Sequence, residues 1–106
     1  MRYILLLTSL LTSTTIAAAT FDETMAAAKQ GAAYAQSNLG VMYDNGEGVP
    51  ENDAEAYVWF SMAKTQGETD ASTNLDLIKP EMTKQQISDG QALATKCYES
   101  NYKECD

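Results

Sequence analysis

The chain has 106 residues, a length that suits one small globular unit and excludes a multidomain enzyme. Seven Lys plus Arg against fifteen Asp plus Glu give a formal net charge of −8, which opposes binding to nucleic acid or to an anionic membrane surface. The sequence contains no His, so the commonest general base and zinc ligand is missing.

Residues 1–19 have the pattern of a secretory signal peptide. Arg2 gives a short positive start, an apolar run covers residues 4–11, and Ala17 and Ala19 form a small-x-small cleavage pattern. The apolar run is much shorter than the ~20 residues that a membrane-spanning helix needs, so a membrane anchor is the weaker interpretation. We therefore predict cleavage after Ala19, a periplasmic or secreted protein, and no stable membrane insertion after cleavage.

Two cysteines, Cys97 and Cys105, lie close together in the sequence. The compartments beyond a secretory signal are oxidising, so the pair predicts a disulfide. A redox pair would favour Cys-x-x-Cys on a βαβ pattern, which this chain lacks.

The chain repeats itself with a period typical of stacked-repeat proteins. Residues 30–39 and 66–75 share five identities at a shift of 36 positions. Ala35, Leu39 and Tyr43 recur at the spacing of one helix face, and no stretch alternates as a strand would. The repeating unit is therefore predicted to be a pair of helices.

Turn and capping residues divide the chain into five predicted helices. The first runs from near Phe21 to Gly31, the second from Ala33 to Asp44, and the third from a cap at Asn52 or Asp53 to about Gln66. The fourth lies in the second repeat copy, and the fifth runs from a Thr83–Gln86 capping box to about Tyr98. Small residues are expected to let the helices approach closely, with Trp59 in the core rather than in a ligand site. These small positions are Ala35, Gly40, Ala56, Ala63 and Ala71.

The residues at the repeat positions resemble the Sel-one-like repeat, a relative of the tetratricopeptide repeat. The resemblance covers about residues 27–75 and rests on Gly31, Ala35-Gln36, Asn38-Leu39-Gly40, Tyr43, Gly46-x-Gly48-Val49-Pro50, Ala56, Trp59-Phe60 and Ala63, then Gly67, Ala71 and Asn74-Leu75. It implies an all-α fold, a short right-handed α-superhelix of antiparallel helix pairs, used as a protein-interaction scaffold and often found in exported bacterial proteins. The second unit loses the pattern after Leu75, so the concave surface is expected to be small.

The expected organisation has three parts. Residues 1–19 are the signal peptide, residues 20–80 hold one full repeat unit flanked by partial units, and residues 81–106 form a capping helix with a disulfide-pinned tail.

Catalytic and metal-binding interpretations have weaker support. Ser61 and Lys64 form a Ser-x-x-Lys pattern, which leaves a weak β-lactam-binding or β-lactamase-like enzyme as the alternative function, but the companion motifs of such enzymes are missing. The acidic residues around Gly46 and Gly48 do not have EF-hand spacing. We expect no enzyme activity, no cofactor and no metal.

The helix face left free by the packing stripe is the candidate partner surface. If the first helix of each unit lines the concave side, as the resemblance implies, six side chains face a partner protein or peptide of the cell envelope. These are Tyr34, Ser37 and Val41 and, 36 positions on, Asp70, Thr73 and Leu77. The alternative is that they form a plain solvent face. The leading interpretation is a secreted or periplasmic adaptor that presents this small helical surface.

Overall fold

The computed structural model describes residues 19–106, and most of the predicted signal peptide lies outside them. Most of these residues lie in helices and none lies in a strand, so the predicted all-α fold is confirmed. The elements are α1 (Phe21–Lys29), α2 (Ala33–Asn45), α3 (Asp53–Thr65), α4 (Thr69–Ile78), a short 3₁₀ turn (Lys79–Glu81) and α5 (Lys84–Glu99).

Side-chain caps begin three of these helices. The Thr20 hydroxyl accepts a backbone hydrogen bond at the start of α1. Asn52, rather than Asp53, caps α3 by accepting from the Glu55 N–H at 3.1 Å. At α5 the predicted capping box is confirmed, because Thr83 accepts from the Gln86 N–H at 3.1 Å and the Gln86 side chain accepts from the Thr83 N–H at 2.8 Å.

The two turns that lie one repeat period apart have the same backbone geometry. Gly31 has φ of +92° and Gly67 has φ of +88°, a left-handed conformation that glycine adopts without steric cost. The Gly31 N–H donates to the Ala28 carbonyl at 3.0 Å, and the Gly67 N–H donates to the Lys64 carbonyl at 2.9 Å. In both turns the next residue donates to the carbonyl five positions back, which completes a Schellman motif. The repeat in the sequence is therefore also a repeat in local structure.

Helix α3 lies at the centre of the molecule, in contact with α2, α4 and α5. Most of its side chains are buried, including Trp59 with 1% exposure and Phe60 with none, so the prediction of Trp59 as a core residue is confirmed. The neighbouring helices supply the rest of the core around it, including Leu39, Leu75 and Ala94. The fold is organised around one buried helix.

Glycine allows two of the contacts with α3 to be close. A Cβ at Gly40 would lie 2.5 Å from ring atoms of Phe60, and a Cβ at Gly90 would lie 2.9 Å from the ring of Tyr57. The predicted packing role of the small residues is confirmed at Gly40, and the four alanines predicted with it are also buried. Gly90 shows that α5 uses the same device.

A buried glutamine joins three helix ends. Gln36 has no exposed surface, and its side-chain Nε2 donates to the Ala28 carbonyl at 3.1 Å. Its Oε1 accepts from Gln66 Nε2 at 2.7 Å. The end of α1, the start of α2 and the end of α3 are thus held together by one side chain whose polar atoms are paired.

Residues 100–106, called the tail below, fold back from α5 toward α1. The predicted disulfide between Cys97 and Cys105 is confirmed, with an S–S distance of 2.03 Å. The Tyr102 ring packs against Gly31, where its nearest atom lies 3.3 Å from the position of a Cβ. The tail therefore packs the end of α5 against the turn between α1 and α2.

Replacing Gly40 with Ala should lower the free energy of unfolding by about 1–3 kcal/mol, because the added methyl group would overlap the Phe60 ring. Urea denaturation followed by far-ultraviolet circular dichroism measures this loss. The control is Asn38→Ala, an exposed position on the same helix, which should change the stability by about 0.5 kcal/mol or less. An equal loss in both variants would contradict the proposed close contact.

Candidate functional site

The free side of α2 and α4 carries two large exposed apolar or aromatic side chains. Tyr34, at the start of α2, is 67% exposed, and Leu77, near the end of α4, is 66% exposed. Both helices pack against α3 and touch each other. Short turns make α3 antiparallel to each of them, so α2 and α4 run in the same direction. Tyr34 and Leu77 consequently lie toward opposite ends of this pair.

Four of the six predicted surface residues are exposed and one is half-buried. Asp70 and Thr73 are exposed with Tyr34 and Leu77, whereas Val41 is half-buried. Thr73 and Leu77 follow Asp70 at three and seven positions, so these residues of α4 form one stripe.

The remaining predicted residue, Ser37, is not on this surface. Its side chain is buried, with 8% exposure, so it is not available to a partner in this structure. The reason is that α2 contacts α1, α3 and α4 and therefore buries a wider face than the stripe through Ala35, Leu39 and Tyr43. The exposed position is Asn38, one residue further along.

The corrected surface consists of Tyr34, Asn38, Val41, Asp70, Thr73 and Leu77, called the α2/α4 face below. Asn38 continues from Tyr34 at helical spacing, and both residues also border a groove between α1 and α2. Helical spacing from Tyr34 reaches both Ser37 and Asn38. The sequence does not show how wide the buried face of α2 is, so it could not decide which of the two is exposed.

The helices of this face carry acidic but no basic side chains. Asp44 lies on α2, and Asp70 and Asp76 lie on α4, whereas no Lys or Arg occurs within either helix. Any charge on the α2/α4 face is therefore negative.

Acidic residues also gather where α2 ends and α3 begins. Burial raises the pKa of Asp44, and the carboxylates of Asp53, Glu81 and Glu51 raise it further. Within residues 19–106, no group of three or more His, Cys, Asp or Glu side chains is arranged to hold a metal ion.

Ser61 and Lys64, the residues of the alternative enzyme, lie in the second half of α3. The Ser61 hydroxyl donates to the Tyr57 carbonyl at 2.6 Å, which is a hydrogen bond back to its own helix. Ser61 is half-buried beside a groove between α3 and α5, while Lys64 is exposed. The hydroxyl proton that a base would need to remove is thus already held by a backbone carbonyl.

Glu55, near the start of α3, is a buried acid that the sequence did not reveal. Its side chain is 8% exposed, and burial, followed by the nearby Asp106 carboxylate, raises the pKa of Glu55 from 4.5 to about 7. Burial also raises the pKa of Tyr43 on α2, and the carboxylates of Glu55 and Asp106 raise it further. The capping role of Asn52 places Glu55 in the first turn of α3, on the side that faces the tail.

The elevated pKa of Glu55 makes stability depend on pH in a defined direction. The folded protein holds this proton more tightly than the unfolded chain, so the free energy of unfolding should fall as pH rises from 4.5 to about 7 and then level off. The expected contribution of Glu55 to this fall is about 3 kcal/mol. Chemical denaturation of the native protein and of Glu55→Gln at pH 4, 5.5, 7 and 8 measures it, because the neutral amide should remove this part of the pH dependence. Parallel curves for the two proteins would contradict the buried acid.

No helix in the part of the chain that the structure describes is long and apolar enough to cross a membrane.

Comparison with known proteins bears on the central part of the chain. The family model of the Sel1 repeat matches residues 33–68, which hold α2, α3 and the turn that follows. A search of curated proteins and a search of solved structures found no match. The matched segment contains the Gly40–Phe60 contact and ends just after the second glycine turn, so this contact and the Gly67 turn belong to the matched repeat. The chain thus contains a Sel1-like repeat at residues 33–68.

Proposed function

We propose that this protein is an exported, non-catalytic adaptor that binds a peptide segment of another cell-envelope protein through the α2/α4 face. Sel1 repeats generally mediate protein–protein interaction. The observation that carries the proposal is the exposure of Tyr34 and Leu77, each about two-thirds exposed, on the two parallel helices of the face.

Tyr34 and Leu77 are suited to anchor an extended segment. Exposed aromatic and large apolar side chains give much contact area for a small loss of conformational entropy. They lie toward opposite ends of a helix pair whose face extends roughly 10–15 Å. Asn38, Asp70 and Thr73 supply polar groups beside them. A peptide that lies along this face can reach both anchors.

The expected affinity is modest. A standard protein interface buries about 800 Å² on each partner, and a face made by two short helices offers less. Binding in the micromolar range or weaker therefore fits its size.

Two structural features support export. The hydroxyl of Thr20, the first residue after the predicted cleavage site, caps α1. Cleavage after Ala19 would leave this cap intact. The Cys97–Cys105 disulfide fits an oxidising compartment.

The position of Ser61 supports a role without catalysis. A nucleophilic serine needs a base that takes its proton, whereas the Ser61 hydroxyl donates to the Tyr57 carbonyl. A binding module needs no such activated group.

Expression of the full chain in a bacterium, with a tag after Asp106, tests the export step. We expect the protein recovered from the periplasm or the medium to begin at Thr20, because the small-x-small pattern ends at Ala19. Mass spectrometry of the intact protein gives the cleavage site. Replacing Ala17 and Ala19 with Arg should leave uncleaved precursor, and retention of the unaltered precursor in the cytoplasm would contradict export.

Capture from a cross-linked envelope extract tests the binding face. The unaltered protein should retain a specific partner, and the double variant Tyr34→Ala, Leu77→Ala should retain at least about tenfold less of it, because both anchors are lost. The matched control is Tyr98→Ala, since Tyr98 is 58% exposed but lies on α5.

Each outcome of this comparison has a distinct meaning. Loss of the partner only in the double variant supports the α2/α4 face. Loss only in Tyr98→Ala would move the binding surface to α5. Equal retention by all three proteins, or no retained partner, would contradict the proposed face.

A further inference from the structure

Three buried polar atoms on α3 have no hydrogen-bond partner among the described residues, and they are Asp53 Oδ1, Glu55 Oε2 and Trp59 Nε1. The last two lie one helical turn apart in side chains that are 8% and 1% exposed. A carboxylate oxygen buried without a donor is costly, whereas a protonated carboxyl group is neutral and costs less. The arrangement therefore favours Glu55 in its protonated form.

The tail forms one wall of the space between these atoms and the surface. A small cavity of about 20 Å³ is lined by Met25 and Lys29 of α1, by Glu55 and Trp59 of α3, and by Cys105 and Asp106 of the tail. The volume suits about one water molecule, which could accept from Trp59 Nε1 and donate to Glu55 Oε2. The tail thus covers a narrow polar site.

The charged and titratable groups around Glu55 come from three elements. Helix α1 contributes Lys29, α2 contributes Tyr43, and the tail contributes Asp106. Cys97 on α5 is in the disulfide and does not titrate. The Asp106 carboxylate repels a negative charge on Glu55, so the closed tail opposes ionisation through burial and through this repulsion.

Two residues at the start of the tail have a left-handed backbone. Asn101 and Tyr102 have φ of +56° and +66°, in the left-handed region that side chains other than glycine rarely adopt. The disulfide joins Cys105 to the last turn of α5, so opening is a local movement of the tail.

We propose that the tail is a proton-dependent lid, which stays closed over Glu55 and Trp59 while Glu55 holds its proton and opens when that proton is lost to solvent. The inference does not depend on the adaptor function proposed above, because none of the residues that line this cavity belongs to the α2/α4 face. Its consequence is greater exposure of Met25 on α1, which is half-buried while the tail is closed.

The pH range of opening follows from the two states of Glu55. With the tail open, Glu55 is hydrated and its pKa approaches the ordinary value of 4.5, whereas in the closed state it is about 7. The equilibrium constant for opening should therefore rise about tenfold per pH unit between these values and stay level above them.

Hydrogen exchange of two tail amides measures this opening in the disulfide-bonded protein. The Tyr102 N–H donates to the Cys97 carbonyl at 2.8 Å, and the Glu104 N–H donates to Ser100 Oγ at 2.9 Å. After correction for the intrinsic rate, we expect their protection to fall about tenfold per unit from pH 5 to pH 7 and to change little from pH 7 to pH 8. The Gly40 amide in the core exchanges through global unfolding, so it should stay more protected than the two tail amides at every pH.

Three variants separate the lid from a general effect of pH. Glu55→Gln should remove the pH dependence of tail protection, and Asp106→Asn should reduce it, because the repulsion is lost. Glu51→Gln, an exposed acid in the loop before α3, should leave it unchanged. Carbon-13 titration of the Glu55 carboxyl in the unaltered protein gives an assay that does not require the Gln variant to fold.

Several results would overturn the proposal. These are tail protection that does not depend on pH, a pH dependence that survives in Glu55→Gln, and a Glu55 carboxyl that is already ionised at pH 5 under a closed tail. Equal responses of the Asp106→Asn and Glu51→Gln proteins would also count against the contact between the tail and Glu55.

Discussion

The absence of a side chain at Gly40 sets the distance between α2 and α3. The ring of Phe60 occupies the space where a Cβ would lie, and this close approach brings the two helices of the Sel1 repeat into direct contact. Once α2 and α3 are paired in this way, the glycine turns before and after them direct α1 and α4 to either side. Helix α3 then becomes the buried centre of the molecule, with Trp59 and Phe60 as its largest fully buried side chains.

Two buried polar side chains have contrasting environments. Gln36 has both of its polar atoms paired, to Ala28 and to Gln66, so it stabilises the junction of three helix ends. Glu55 has a buried oxygen without a partner and the Asp106 carboxylate nearby, so its charge state is coupled to the position of the tail. The same core thus contains one polar group that fixes the fold and one whose stability contribution changes with pH.

The helix boundaries and turns could be predicted because their signals are local. The capping box at Thr83 and Gln86 and the glycines of positive φ act through neighbouring backbone atoms, so the sequence alone could identify them. The period of 36 residues is visible in the sequence itself. The all-α fold, the buried Trp59 and the disulfide followed from the same residues. Four of the six residues that helical spacing predicted for the partner surface are exposed.

The sequence by itself therefore determined the helices, the repeat and the cysteine pair, whereas the tertiary structure decided which side chains are accessible. Ser37 is buried because α2 has neighbours on several sides, a property that one apolar stripe does not encode. Glu55 is read from the sequence as an ordinary acid in the first turn of a helix, yet the folded tail covers it. Burial and the distance between charges depend on segments far apart in the chain, such as residues 55 and 106, and only the packed structure brings them together.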